Sequence, residues 1–271
     1  MPELPEVETT RRGVEPHVRG RTVTGLIVRQ RQLRWPVPAR LRQHLLGHTV
    51  KAVNRRGKYL LLPVGAGTLI VHLGMSGSLR MLRDDVPPGI HDHIDLLLDS
   101  GNRLRFTDPR RFGAWLWSDT AAEQHPLLAS LGPEPLGEAF NTDYLHTQAR
   151  NRKLAVKSFI MNSHVVVGVG NIYANEALFR AGIHPARAAG RISRARYAGL
   201  VDSVRAVLED AIRQGGTTLR DFVDGEGRPG YFAQQLQVYG RADKPCPRCA
   251  APIRELRIGQ RSSFYCPNCQ R

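Results

Sequence analysis

The sequence predicts an α+β protein built from three parts in chain order: a β-rich N-terminal half, a helical domain and a zinc-held β-hairpin. Three observations support this prediction. Short β-rich runs fill residues 22–117, the hydrophobic period becomes helical after residue 137, and all four cysteines follow residue 245. With 271 residues, the chain is long enough for two domains or for one large domain with a small appendage.

The β-rich half is predicted from short apolar runs that are closed by Gly, Pro and Asp clusters. These runs lie at residues 23–28, 50–53, 59–62, 69–73, 94–98, 104–106 and 114–117. Many short strands at close intervals are typical of an antiparallel sandwich or barrel.

The helical domain follows a linker-like segment, GPEPLG at residues 132–137. Asn141 or Thr142 can cap the first helix, and Ser193 can cap a long amphipathic helix that ends at residues 215–216. Helices are predicted from residue 142 through 148, over 154–160 and 171–179, and from 194 to about 214.

The cysteines form the pattern C-x2-C-x16-C-x2-C. They are Cys246, Cys249, Cys266 and Cys269. This spacing is typical of a tetrahedral four-thiolate zinc site, in which each tight turn supplies two ligands. Two disulfides are the alternative, but a CxxC bridge strains the chain and no secretory context is visible. We predict one structural zinc bound by these four cysteines, and a zinc-held β-hairpin of two strands around Gly259 with Arg261 near its tip.

The charge predicts a polyanionic partner. Thirty-nine Lys and Arg against 24 Asp and Glu give a formal charge of +15. The alternative is a solvated basic surface without a specific partner. The basic residues recur in short clusters, at residues 11–12, 55–56, 110–111 and 150–153. Clusters separated by structured segments favour a folded phosphate-binding surface over a disordered tail.

Membrane and secretory classes are disfavoured. Residues 1–20 are charged and contain no apolar signal stretch. No apolar run is long enough to span a bilayer, and no basic amphipathic helix with a large aromatic face is evident. We expect a cytoplasmic protein that does not bind membranes.

The chain begins Met1-Pro2-Glu3. Removal of Met1 would leave Pro2 with a free secondary amine. The alternative is that Pro2 and Pro5 only preset the backbone for a helix, with Glu residues near its positive N-terminal dipole. From these residues alone, the helix start is the better interpretation.

The turn VGVGN at residues 167–171 precedes a predicted helix. It does not predict a dinucleotide site, because Tyr173 stands where the third glycine would be and no βαβ unit surrounds it. We therefore expect no nucleotide cofactor. Backbone amides and Asn171 at a helix N-terminus suit one phosphate, and plain helix capping is the alternative.

Several motifs together resemble one family. They are MPELPEVET (1–9), HLGMSG (72–77), DPRRFGAWLW (108–117), VVVGVGNIYANE (165–176), GTTLRDFVDGEGRPGYFAQQLQVYGR (216–241) and the final cysteine pattern. This set, in this order over essentially the whole chain, resembles bacterial formamidopyrimidine-DNA glycosylase. The resemblance implies base-excision repair, with removal of 8-oxoguanine and formamidopyrimidines from duplex DNA and β,δ-elimination of the abasic strand.

The resemblance also implies an architecture and a partner. We predict a β-sandwich catalytic domain at residues 1–133, a helix-two-turns-helix domain with a lesion loop at 134–236, and a zinc finger at 237–271. The expected partner is damaged double-stranded DNA, bound by a monomer and associated with the nucleoid.

Pro2 takes on a chemical role through this resemblance. An α-amine has an unperturbed pKa near 8, so about a tenth of it is already the free nucleophile at pH 7. The adduct of a secondary amine with deoxyribose C1′ is an iminium that has no N–H to lose, so it stays cationic and acidifies C2′ for elimination. Glu3 is adjacent and placed for proton transfer to the opening sugar.

Other residues receive roles by position in the family. Lys58 is expected at the lesion phosphate, where it assists β-elimination, and Arg261 is expected at the flanking phosphates, where it supports δ-elimination. The expected DNA contacts are His72, Met75, His91, Arg110, Phe112, Arg152, Asn171 and Tyr239. His91 and His93 form no predicted metal site, because two histidines without a third ligand are insufficient.

Removal of a base from the stack leaves a hole in the duplex. In the family Met75, Arg110 and Phe112 enter this hole, with Arg110 facing the orphaned base and Phe112 wedging the step. For Met75 and Phe112 alone, core packing would be the better interpretation. The glycine-rich residues 217–231 resemble the lid over the everted base.

Two other functions stay open. A zinc-bearing DNA-binding protein without catalysis would also account for the charge and the cysteines, but Pro2, Glu3 and Lys58 favour the enzyme. An oxidised-pyrimidine glycosylase of the endonuclease VIII type shares the N-terminal Pro-Glu and the zinc finger. The motifs PELPEVET and DPRRFG favour the purine-lesion branch instead.

Overall fold

The computed structural model describes residues 2–83, 85–216 and 235–271. Two compact units are present. One comprises Met1–Ser130 with Gln214–Tyr231, and the other comprises Leu131–Arg213 with Phe232–Arg271. The predicted lid at residues 217–231 lies outside the described residues, and the predicted domain boundaries remain predictions.

The N-terminal unit is an antiparallel β-sandwich. Its elements are α1 (Leu4–Val18), β1 (Val23–Val28), α2 (Leu41–Leu45), β2 (Asn54–Arg56), β3 (Tyr59–Val64), β4 (Gly67–His72), β5 (Ser78–Arg83), β6 (Asp92–Leu98), β7 (Asn102–Thr107), β8 (Ala114–Ser118) and α3 (Pro126–Ala129). One sheet has the order β1-β6-β7-β5 and the other β2-β3-β4-β8. Buried side chains of both sheets form one core, in which Phe106 and Trp115 have ring centroids 6.0 Å apart.

Each apolar run that was predicted as a strand in this unit forms one, except residues 50–53. Residues 50–53 form no strand, because Val50 makes a single isolated bridge with Val64 and the neighbouring Thr49 pairs with Thr22. The chain there crosses between partners and does not run along one strand. Two strands were not predicted, β2 and β5, whose sequences NRR and SLRMLR interrupt the apolar pattern with arginine.

The hairpin between β2 and β3 positions Lys58. Arg56 pairs with Tyr59, so Gly57 and Lys58 form a two-residue loop. Gly57 has φ +56°, which the first position of such a loop requires and glycine adopts without strain. Lys58 therefore lies at the tip of a tight hairpin.

The C-terminal unit is helical with a small β-hairpin. Its helices are α4 (Thr142–Ala149), α5 (Val156–Ile160), α6 (Asn171–Arg180) and α7 (Arg194–Arg213). The predicted caps are confirmed, since the Asn141 side chain accepts from Tyr144 N at 3.0 Å and Ser193 Oγ accepts from Arg196 N at 3.4 Å. Helix α5 begins two residues later than predicted.

Strands β9 (Arg254–Ile258) and β10 (Arg261–Tyr265) form the predicted hairpin. Its loop is Gly259-Gln260, where both residues have positive φ, and Arg261 pairs directly with Ile258. Phe264 and two cysteines pack with Phe179 of α6 in one small apolar cluster. Within the described part of the chain, no helix combines the length and the apolar character needed to cross a membrane.

Candidate nucleic-acid interface

Pro2 and Glu3 directly precede helix α1. Both residues are buried, and Glu3 is only 3% exposed. Glu3 is the N-cap of the helix in a reciprocal capping box, in which its backbone N–H donates to Glu6 Oε2 at 2.8 Å. The helix-start interpretation is therefore confirmed, and the capping box holds the Glu3 side chain at the N-terminus of α1, next in sequence to Pro2.

One turn later, Glu8 collects three arginines. Arg11 donates to Glu8 Oε1 at 3.0 Å, Arg12 to Oε1 at 2.9 Å and Arg55 to Oε2 at 3.0 Å. Burial alone would raise the pKa of Glu8, but the hydrogen bonds from Arg11, Arg12 and Arg55 outweigh it and lower this pKa. The predicted basic cluster at residues 11–12 is thus paired within the unit, which corrects its assignment to a phosphate-binding surface.

His72 ends β4 beside the Lys58 hairpin. Its Nδ1 accepts from Gly74 N at 2.9 Å, and its ring centroid lies 4.8 Å from that of Tyr59. Burial, followed by the charges of Lys58 and Arg34, lowers the pKa of His72 to about 4. His72 is therefore neutral at pH 7, and its Nε2 carries the proton as a donor.

Met75, Arg110 and Phe112 lie on two loops and are not packed in the core. Met75 is 37% and Phe112 43% exposed, which excludes the core-packing alternative for both. The Arg110 guanidinium carbon lies 5.1 Å from the centroid of the Phe112 ring, within range of a cation–π contact. The structure brings these three predicted residues together on one face of the N-terminal unit.

Asp108 joins the two loops. Its fully buried carboxylate accepts from Ser76 Oγ at 2.8 Å and from Gly113 N at 2.8 Å. Arg110 N also donates to Ser76 Oγ at 3.3 Å. Because Ser76 follows Met75 and Gly113 follows Phe112, one carboxylate sets the relative position of both exposed side chains.

His91 and His93 occupy different environments. His93 is buried and bonds the Asp108 carbonyl through Nε2 at 2.8 Å, whereas His91 is exposed. In the described ranges, the four cysteines form the metal-ligand group and neither histidine joins one. His91 remains available to act as the expected DNA contact.

In the C-terminal unit, Asn171 and Arg261 lie around the start of β10. Asn171 is the first residue of α6, and its Nδ2 donates to Ser262 O at 3.3 Å. Arg261 is exposed at the hairpin tip. Ser262 directly follows Arg261, so the Asn171 amide bonds the backbone one residue from the predicted phosphate-binding arginine.

Lys157 was not predicted, although it lies at the same place. It is 1% exposed, and its Nζ donates to Ser262 O at 2.7 Å and Ser263 Oγ at 2.6 Å. A pocket of about 200 Å³ between α5 and the hairpin is lined by Lys157, Ser158, Met161, Ile258, Gly259 and Arg261. A buried ammonium beside an exposed guanidinium makes this edge electropositive.

Arg152 and Tyr239 occupy different environments. Arg152 is exposed, and its Nε donates to Gln148 O at 2.7 Å. Tyr239 is half-buried with its ring centroid 5.2 Å from that of Phe264. Its backbone N–H donates to Glu176 Oε1 at 2.8 Å, and the buried Glu176 also accepts from the two preceding backbone amides. The α6 carboxylate thereby fixes the segment that leads to the cysteines.

The cysteines meet the geometric requirement for zinc. All four Sγ atoms lie within 4.8 Å of one another, with Cys246 and Cys269 at 3.9 Å and Cys249 and Cys266 at 3.4 Å. A tetrahedral Zn–S distance of about 2.3 Å implies S–S separations of about 3.8 Å. The cysteines are free thiols and not disulfides. This set fits a single closed structural zinc.

Family models match most of the chain. The N-terminal domain of formamidopyrimidine-DNA glycosylase matches residues 1–115, its H2TH domain matches 131–223, and a zinc finger found in FPG and IleRS matches 243–271. The chain belongs to the formamidopyrimidine-DNA glycosylase family.

The chain is similar in sequence and in structure to individual members of the formamidopyrimidine-DNA glycosylase family. The chain is 60% identical to the enzyme of Marinobacter nauticus and 62% identical to that of Thioalkalivibrio sulfidiphilus, over 100% of each chain. Wild-type Lactococcus lactis Fpg in complex with N7-benzyl-Fapy-dG DNA matches with TM-score 0.92 and 32% identity over 100% of both chains. The MutM (Fpg) protein of Thermus thermophilus matches with TM-score 0.88 and 38% identity over 99% of this chain and 98% of that chain.

Formamidopyrimidine-DNA glycosylases are bifunctional glycosylases and abasic-site lyases, so the chain is an enzyme of this kind. Its zinc finger holds a structural zinc. Sequence reasoning found the exposed side chains but missed Asp108 and Lys157. The available signal for Asp108 was its place inside DPRRFG, while a lysine within an apolar helical pattern was the signal for Lys157.

Proposed function

We propose that this chain removes oxidised purines from duplex DNA and then cleaves the abasic strand, with Pro2 as the nucleophile. The observation that carries the proposal is the position of Pro2, which is buried directly before α1 and next in sequence to Glu3, whose side chain belongs to the capping box of this helix. The proposal requires removal of Met1, which lies outside the described residues.

The first chemical step releases the base. The Pro2 nitrogen forms a bond to C1′ and releases its proton, the glycosidic bond breaks, and the base leaves with one proton. The C1′–O4′ bond then opens to the iminium, and the protonated form of Glu3 delivers its proton to O4′. The capping box supports this role because it holds the Glu3 carboxylate in one place before the sugar arrives.

The second step cleaves the strand. The cationic iminium draws electrons from C2′, so loss of a C2′ proton expels the 3′ phosphate. A further elimination expels the 5′ phosphate. Lys58 and Arg261 act as cations at these leaving groups, one from the tip of the β2–β3 hairpin and one from the zinc hairpin.

The remaining site residues bind the DNA or fill the space that the everted base leaves in the duplex. Asn171 and Arg152 bind phosphates, His91 and Tyr239 add further DNA contacts, and the loop residues replace the everted base. The substrate is damaged double-stranded DNA. Lactococcus lactis Fpg has been crystallised with DNA that contains an abasic site and with DNA that contains N7-benzyl-Fapy-dG. We further propose that the chain acts as a monomer in the bacterial cytoplasm, where it associates with the nucleoid.

Duplexes with single defined lesions test this function. We expect single-turnover excision of 8-oxoguanine and formamidopyrimidine opposite cytosine, and cleavage of a preformed abasic site. A duplex with an oxidised pyrimidine belongs in the set, because Lactococcus lactis Fpg has also been crystallised with such DNA. Undamaged duplex is the control.

Faster excision of the oxidised pyrimidine than of both purine lesions would overturn the purine assignment in favour of the endonuclease VIII type. Binding without any excision or strand cleavage would overturn the enzymatic function and leave a zinc-bearing DNA-binding protein.

A further inference from the structure

We propose that Arg55 is a positioning residue that holds the Lys58 turn against the helix that begins at Pro2. The inference rests on the proposed function, because it takes Lys58 to act in elimination. Arg55 itself touches no reacting atom in this proposal. It acts by fixing the distance between two other parts of the site.

One guanidinium joins the two elements. Arg55 Nε donates to Glu8 Oε2 on α1 at 3.0 Å, and Arg55 Nη1 donates to Gly57 O at 3.0 Å. The side chains of Arg55 and Glu8 are only 12% and 11% exposed, so water competes weakly for both bonds. Gly57 immediately precedes Lys58 in the two-residue loop.

The bond to Gly57 O acts on the peptide that leads into Lys58. In a two-residue hairpin the peptide between the loop residues can reorient with little change in the strands, which converts one turn type into another. A hydrogen bond to its carbonyl oxygen selects one orientation. That orientation sets the direction in which the Lys58 side chain leaves the backbone.

The other end of the link is firmly anchored. Glu8 remains ionised because hydrogen bonds from Arg11, Arg12 and Arg55 lower its pKa despite burial. Arg11 Nη1 also donates to Val53 O at 3.2 Å, just before β2 begins. Helix α1 is therefore attached to the chain on both sides of the short strand β2, and Arg55 makes the attachment on the Lys58 side.

Arg12 is a matched control. It donates to the same carboxylate, at 2.9 Å, but its side chain is 59% exposed and it belongs to the outer face of α1. Removing either arginine takes one cation from Glu8. Only removal of Arg55 also takes the hydrogen bond from Gly57 O.

The experiment is a double-mutant cycle on strand cleavage. Arg55→Gln, Arg12→Gln, Lys58→Ala and the pair Arg55→Gln with Lys58→Ala are compared by single-turnover elimination of a preformed abasic duplex at saturating enzyme. We expect Arg55→Gln to slow elimination by about 10-fold to 100-fold, as for a misplaced catalytic group. Arg12→Gln should slow it by less than about threefold, as for an exposed ion pair.

In the Lys58→Ala background, Arg55→Gln should have almost no further effect, because the group that it positions is gone. Equal losses in both backgrounds would show a general structural role and overturn the proposal. Equal effects of Arg55→Gln and Arg12→Gln would also overturn it.

The proposed function fails in a distinguishable way. If Lys58→Ala eliminates at the wild-type rate, the role of Lys58 and the positioning role of Arg55 are both wrong, while base release through Pro2 is unaffected. If the wild-type protein itself cleaves no abasic duplex, the proposed lyase function is wrong.

Discussion

Protonation of His72 should destabilise the N-terminal unit and release the loop that carries Met75. The neutral ring accepts the Gly74 N–H at Nδ1, so a proton added to this atom breaks the bond. Burial, with the charges of Lys58 and Arg34, lowers the pKa of His72 from 6.5 to about 4. In the unfolded chain the ordinary pKa of 6.5 returns.

These two pKa values determine how the free energy of unfolding changes with pH. A histidine with a lowered folded-state pKa costs no stability above pH 6.5, and stability is lost as the pH falls from 6.5 towards 4. Between pH 6.5 and 5, the loss is about 1.4 kcal/mol per pH unit, or about 2 kcal/mol in all. Most of this loss should be absent in His72→Asn, whose amide oxygen can still accept from Gly74 N.

The assay is urea unfolding at pH 7 and pH 5, followed by tryptophan fluorescence. All three tryptophans, Trp35, Trp115 and Trp117, lie in the N-terminal unit, so the signal reports this unit. Wild type should lose about 2 kcal/mol more than His72→Asn between the two pH values. An equal pH dependence in both proteins would refute the assignment of His72 as a neutral side chain in the folded protein.

A second readout uses the same variant. A neutral histidine that donates to DNA displaces no counterion. We therefore expect His72→Asn to weaken DNA binding at pH 7 without changing the slope of log affinity against log salt concentration. Arg261→Ala should reduce that slope by about 0.9, as expected for one lost phosphate contact. A reduced slope in His72→Asn would mean that His72 binds DNA as a cation.

Two further predictions concern the zinc finger and the void-filling loop. Cys249→Ser should abolish DNA binding without unfolding the N-terminal unit, because zinc supplies on the order of 10 kcal/mol or more to so small a segment; full binding by a verified zinc-free protein would contradict this. Arg110→Ala should cost on the order of 1–3 kcal/mol of discrimination between cytosine and adenine opposite the lesion. Single-turnover excision opposite each base measures this, and an unchanged ratio with uniformly slower excision would refute base readout by Arg110.

The sequence predicted the fold best where burial follows a simple period. Apolar runs located β3, β4, β6 and β8, and polar caps located α4 and α7 within a residue or two. The sequence did not predict β5, because Arg80 and Arg83 interrupt its apolar residues, although the strand pairs along its whole length with β7. Such pairing depends on long-range contacts that local composition does not reveal.

Site residues were predictable where a family motif marks them, and the supporting side chains were not. Lys157 bonds Ser262 across 105 positions in the chain, and Arg55 bonds Glu8 across 47. In the sequence Arg55 looks like an ordinary solvated cation, and the apolar neighbours of Lys157 indicate burial without identifying its partner. Their burial and partners depend on tertiary packing, so only the structure distinguishes a positioning group from a surface charge.

The central claim is that the Pro2 nitrogen is the nucleophile, and borohydride trapping tests it most directly. The enzyme is mixed with an 8-oxoguanine duplex and sodium borohydride, the covalent complex is digested, and the peptide that carries DNA is sequenced by mass spectrometry. We expect a chain that starts at Pro2 and one adduct on this residue, with slower trapping in Pro2→Gly, whose terminal amine is primary. An adduct on a lysine of the wild-type protein would contradict it.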